Sequence, residues 1–230
     1  MPFETMKANQ ASAAEMKLVG GRLCLDFINT VGGRKRDSPR RGARSAESVL
    51  GDKLVEYSDL VEWSRHSGIV TATEAERLIQ VSKRNAGEAK DVFDRAIALR
   101  EALYRICKAI MTGRRSQRLD LETVNDELLE ARAHERLTPG PHGFTWEWVG
   151  GEAALDRMLW SIAHSAAELL TTGDLSRLRE CGGEECGWLF EDTSRNRSRQ
   201  WCAMQDCGNL AKVRRYRTRL RSSNKTKRSH

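Results

Sequence analysis

Four of the six cysteines in this 230-residue chain fall in one short stretch, spaced Cys181-x4-Cys186-x15-Cys202-x4-Cys207. Two close pairs separated by a loop are the sequence form of a four-thiolate zinc site, because tetrahedral Zn2+ takes two sulfurs from each of two tight turns. Gly182 and Gly183 relax the first turn, and Gly208 follows the last ligand, where the chain must enter a helix. No fifth cysteine and no histidine lies near the four. The site therefore reads as closed and structural, one Zn2+ per chain, rather than hydrolytic. Two disulfides or free thiols are the alternative reading. Residues 1–17 are polar, carry Glu4 and Glu15 and do not form a secretory signal. No apolar run approaches the ~18 residues that a membrane span needs. These absences point to a bacterial-type cytoplasmic protein without a membrane partner. In a reducing cytosol, clustered cysteines hold metal more often than they pair.

The second chemical signal is charge. The net charge of +7 is concentrated at one end: residues 181–230 carry 12 Lys and Arg against 5 Asp and Glu, whereas residues 1–180 carry 27 of each. After Cys207 there are nine basic residues and no acidic one. A neutral body with a cationic end suits a polyanionic partner; a disordered solubilising tail is the bland alternative. Leu210, Val213, Arg217 and Leu220 recur at helical spacing with Tyr216 beside them, so Leu210 is expected to pack under a basic amphipathic helix. Lys212, Arg214, Arg215 and Arg219 would then face the phosphates of duplex DNA, and Arg195, Arg197 and Arg199 in the loop between the cysteine pairs would grip the backbone from a second side. The same charges serve RNA, with Trp188, Trp201 or Tyr216 stacking on bases if exposed. A third reading makes the metal module only a structural cap on a protein-interaction or ligand-sensing protein. An enzyme is the least favoured class.

A third cluster lies near the N-terminus. Asp26, Asn29 and Thr30 are polar positions in the apolar run "LCLDFINTV", followed by six basic residues from Arg34 to Arg44. Together with Arg34 they would line a pocket for an anionic small molecule; the alternative is plain helix or turn capping by Asp26 or Asn29.

The elements that must position these residues are mostly helical. Leu23, Leu25 and Phe27 alternate as in a strand, while Leu23, Phe27 and Val31 fit a helix, and periodicity leaves both open. Ser58 opens a helix stopped by Gly68, and the "TATE" capping box at 71–74 opens another. A long stripe from Val92 to Ile110 ends near Gly113, with Cys107 beside it as a core thiol. A further helix holds Leu121, Val124, Leu128 and Leu129. Phe144, Trp146 and Trp148 alternate after Pro139-Gly140-Pro141, which reads as a β-hairpin. A last body helix spans about 152–172, with His164 a core or boundary residue rather than a ligand. The expected fold is α+β: a mostly α-helical body with a small antiparallel β element, plus a C-terminal treble-clef-like zinc finger. The expected divisions are a disordered 1–16, a body at 17–174, a finger at 175–222 and a disordered basic tail at 223–230. Dimerisation of the neutral body is a further expectation.

From Cys186 onward, Trp188, Phe190, Asp192, Ser194, Asn196, Arg199, Trp201, Cys202, Met204, Cys207, Gly208, Asn209 and Lys212 fall on the pattern of the CGNR zinc finger, which this segment resembles. The stretch "GGRLCLDFINTV" at 20–31 is similar to the signature of the ABATE domain that precedes this finger. The resemblance implies a bacterial transcription regulator linked to stress, with the finger as its DNA contact. One departure stands out: the arginine that ends the finger's name is Leu210 here.

Overall fold

The computed structural model describes residues 13–34, 51–141, 143–151 and 153–227, with side chains to residue 220. Most of the expected disordered N-terminus, residues 35–44 of the basic loop and residues 228–230 of the tail lie outside the described residues. A helical body is formed by α1 (Leu23–Ile28), α2 (Tyr57–His66), α3 (Ala72–Arg84), α4 (Ala86–Met111), α5 (Arg118–Ala133) and α6 (Arg157–Thr172). A hairpin of β1 (Glu135–Gly140) and β2 (Gly143–Trp148) joins α5 to α6. The finger adds an antiparallel pair, β3 (Leu178–Glu180) with β4 (Leu189–Glu191), and ends in α7 (Asn209–Lys227). Among the described residues no helix is long and apolar enough to cross a membrane.

The ambiguous run at 23–31 is a helix, and α1 buries Cys24, Leu25, Asp26, Phe27 and Ile28 nearly all round. A helix buried on every side shows no single apolar stripe, which is why its period was unreadable. The core gathers Phe27, Trp63, Leu60, Leu99, Ile106 and Ile162 from four helices, with Cys107 packed among them. Helix α3 has the expected reciprocal cap: Glu74 N–H donates to Thr71 Oγ1 (3.3 Å), and Thr71 N–H to Glu74 Oε2 (2.7 Å). In α2 the capping pair is Glu56 with Asp59, not Ser58, whose hydroxyl donates to Glu56 instead.

Helix α5 forms where expected, but its leucines do not make its inner face. Val124 is buried, but Leu121 and Leu129 are 41% and 71% exposed. Its inner face uses carboxylates: Asp120 meets Arg105 (2.6 Å) and Glu127 meets Arg95 (2.8 Å) from the neighbouring α4. Buried charge survives only when paired, and the partners are invisible to a periodicity count. The hairpin forms with Leu137 opposite Trp146 and Pro139 opposite Phe144. Phe144 and Trp146 face outward, while Trp148 packs against Trp160 and His164. His164 Nδ1 lies 3.0 Å from the buried Glu135 carboxylate, a boundary pairing.

Candidate metal centre and basic helix

The four sulfurs converge because two turns present them. Cys181 ends just past β3, its N–H donating to Trp188 O (2.8 Å), so the first turn is closed at the neck of the β3–β4 pair. Cys202 precedes the π-helical turn Met204–Gly208 that leads into α7, and Cys207 lies within it. The ligand atoms all lie within 4.8 Å of one another. The Cys186–Cys202 and Cys202–Cys207 sulfur pairs are 3.7 Å apart, close to the edge of ~3.8 Å for a tetrahedron of 2.3 Å Zn–S bonds. Backbone N–H groups of Gly183 (3.5 Å) and Cys202 (3.3 Å) point at Cys181 Sγ, as suits a thiolate. Thiol protons from Cys186 and Cys202 pull the Cys181 thiol far below its usual range, and the same crowding pushes Cys186 up to about 12 and Cys202 higher still. Four thiolates this close repel one another, and a divalent cation relieves that repulsion. The donor set and its spacing fit one structural Zn2+.

Packing around the cluster fixes its glycines and aromatics. Phe190 is fully buried with Cys181 and Cys202, and Trp188 and Trp201 pack against them. A Cβ at Gly208 would lie 3.2 Å from Trp201 Cδ1 and 2.3 Å from Met204 Sδ, so the turn into α7 has room for glycine alone without rearrangement. The buried Asp192 organises the intervening loop by accepting from Ser194 Oγ (2.5 Å), Ser194 N–H (2.9 Å) and Arg199 N–H (3.0 Å). These donors, the Ser194 hydroxyl foremost, hold its carboxyl below the usual range.

The finger is not a separate bead. Leu178 and Leu189 belong to the body's core, and the N-terminal cluster forms the socket for β4. Asn29 Nδ2 donates to Leu189 O (2.8 Å) and Leu189 N–H donates to Asn29 Oδ1 (2.8 Å), so one side chain completes both backbone bonds of a strand residue. Glu191 N–H donates to Gly20 O (2.8 Å), Trp188 Nε1–H to Val31 O (3.1 Å), and Arg22 pairs with Glu191 (2.8 Å). Asp26 accepts from Gly20 N–H (2.7 Å), folding that turn onto the start of α1. Burial pushes its carboxyl up to about 6, against the pull of the Gly20 and Val19 N–H groups and the Arg199 charge. A Cβ at Gly20 would sit 2.8 Å from Leu25 Cβ and 2.9 Å from Asp26 N, so only glycine allows this approach. Thr30 Oγ1 donates to Phe27 O (2.8 Å) and accepts from Arg100 (3.0 Å), whose guanidinium also holds Asp52 bidentately. Arg34 pairs with Glu101 (2.9 Å) and stacks on Tyr104 at 4.0 Å.

Residues 21–173 match the model of the ABATE family, described as "Putative stress-induced transcription regulator", and residues 177–220 match the CGNR zinc finger. The chain belongs to the ABATE family. No curated protein matches it.

In this ABATE chain the basic residues singled out by sequence fall into distinct settings. Arg199 lies over Phe190 (4.2 Å), donates to Val19 O (2.9 Å), Trp201 O (3.1 Å) and Cys202 O, and is half-buried. Arg197 is held by Asp174 (3.0 Å) and Ser176 (2.9 Å). Arg195 is exposed. Arg214 pairs with Glu184 (2.9 Å), and Lys212, Arg215 and Arg219 are exposed. Leu210 is 59% exposed, with Val213, Tyr216 and Leu220 also open to solvent, so the expected packing of Leu210 under the helix is not found. Among the described residues, that stripe of α7 is left uncovered as the helix leaves the metal cluster. A cleft of ≈880 Å3 separates α7 and the first cysteine turn from the body's glycines 32, 33 and 51. Positions 211, 214, 215, 218 and 219 face it, whereas 212, 213, 216, 217 and 220 turn away, as ~100° per residue requires. Asp26, Asn29, Thr30 and Arg34 do not line this cleft. Sequence reasoning passed over two cations: Arg217, counted into the apolar stripe and facing away from the cleft, and Lys53, a lone residue outside any motif that lines it.

Proposed function

We propose that this ABATE protein is a cytoplasmic transcription regulator that binds duplex DNA through α7. One observation carries the reading: a 19-residue helix that starts at the metal cluster, has no acidic residue and exposes Lys212, Arg215, Arg217 and Arg219. Zinc fixes where the helix begins, so its cations meet phosphates from a rigid base rather than from a floppy tail. Arg195 adds a contact from the loop. Arg197, Arg199 and Arg214 spend their charge within the chain and contribute less than their number suggests. The body responds to an anionic ligand or pairs two copies; the exposed Leu137, Phe144 and Trp146 favour pairing, and sedimentation of the zinc-loaded chain separates the two. The experiment on function is fluorescence anisotropy of labelled duplex and of single-stranded RNA with the zinc-loaded protein. Tighter binding to the duplex supports the proposal. Preference for the RNA would favour base stacking on Tyr216, which is 64% exposed.

A further inference from the structure

The cleft between body and finger holds two cations, Lys53 and Arg215, that no carboxylate among the described residues neutralises. Lys53 enters from the body wall and Arg215 from α7, and neither side chain has a hydrogen-bond or ion-pair partner among the described residues. Arg214, beside them, is taken by Glu184. Trp201, Leu210 and Ala211 supply an apolar surface in the same cleft. The volume of ≈880 Å3 lies within the range of small-molecule sites, roughly 300–1,000 Å3.

We propose that this cleft binds a phosphorylated molecule of nucleotide size, its phosphates held between Lys53 and Arg215 and its ring against Trp201 and Leu210. The charge distribution sets the orientation. Cys186, Cys207, Glu184 and Glu185 also line the cleft. Zn2+ with four thiolates keeps a net negative charge, so phosphate is repelled from these groups and drawn to Lys53 and Arg215. A ring carrying N–H donors suits the acidic groups, which is the pattern of an amino-substituted base. Bringing Lys53 and Arg215 to one cleft needs both the β4 socket and the metal-started helix, so the site exists only when the two parts are assembled. Arg215 also belongs to the proposed DNA contact, but the inference stands on the cleft itself and is measured without DNA.

The test is isothermal titration of the full-length zinc-loaded chain at low salt with ADP, pyrophosphate and adenosine as probes. ADP is expected to bind one to one, more tightly than pyrophosphate, with adenosine weakest. Lys53→Ala and Arg215→Ala are each expected to weaken ADP about tenfold, the size of a lost charge-assisted contact. Lys212→Ala, on the far side of α7, should leave ADP affinity within about twofold. Unchanged melting and zinc content verify that both variants remain folded. Absence of binding by ADP and pyrophosphate alike overturns the site. Equal losses from Lys212→Ala and Arg215→Ala overturn it too, since that is diffuse attraction to a basic helix. Equal affinity for ADP and pyrophosphate overturns the role of the ring surface.

Discussion

Replacing Asn29 with alanine removes one side chain and orphans two backbone groups. Asn29 is 1% exposed and makes two 2.8 Å bonds to the fully buried Leu189, one as donor and one as acceptor. A buried polar group left unmatched costs about 1–3 kcal/mol, so the pair amounts to about 2–6 kcal/mol. For a chain of this length, ~2–4 °C of melting temperature is lost per kcal/mol, which gives a fall of roughly 4–24 °C. Asn29→Asp is a sharper probe. It keeps the acceptor for Leu189 N–H but sets a carboxylate oxygen against Leu189 O, so at pH 7 it should be at least as damaging as alanine. On acidification the protonated carboxyl can donate again, and the deficit relative to wild type should narrow. Scanning calorimetry of the zinc-saturated proteins reads both. A melting temperature for Asn29→Ala within about 1 °C of wild type would refute the socket, and a lost ligand with undiminished stability would return Asn29 to a binding role.

Three further outcomes follow from the same geometry. Cys202→Ser should abolish stoichiometric zinc by metal analysis and lower the melting of the whole chain, because Leu178 and Leu189 complete the body's core; full zinc content in the variant would contradict the four-sulfur site. Asp26 has a folded carboxyl raised from 3.8 to about 6, so folding takes up a proton between those values and wild type should lose up to ~3 kcal/mol as pH rises from 4 to above 6. Asp26→Asn cannot titrate, so its stability relative to wild type should rise across that window, and a pH-independent difference would show that burial does not set the carboxyl. Leu210→Arg, which restores the arginine of the finger's name, changes an exposed position and should alter stability by less than ~0.5 kcal/mol; a larger loss in urea unfolding would mean that Leu210 is packed in solution.

The metal centre was legible because thiolate spacing is a local constraint: two pairs with four residues inside each pair leave few geometries. The long helices α4 and α6 were legible from their stripes for the same reason. The socket was not. Asn29 and Leu189 are 160 residues apart, and nothing in either segment names the other. A polar residue in an apolar run signals only that a partner exists, and here it is a strand backbone, which has no sequence signature. The inner face of α5 was hidden for a related reason, since Asp120 and Glu127 are inside only because Arg105 and Arg95 meet them. Leu210 misled in the opposite sense: a stripe predicts burial only if a surface lies opposite, and among the described residues α7 has none along it.

The claim that α7 is a DNA-binding helix is tested most directly by the salt dependence of duplex affinity. Arg195, Lys212, Arg215, Arg217 and Arg219 are exposed. Five phosphate contacts predict a slope of log K against log salt of about −4.5, at ~0.9 per contact on B-DNA. Arg217→Ala should reduce the slope by about one unit and weaken all sequences alike. A zinc-loaded protein with no duplex affinity at low salt, or with a slope near zero, would contradict the account.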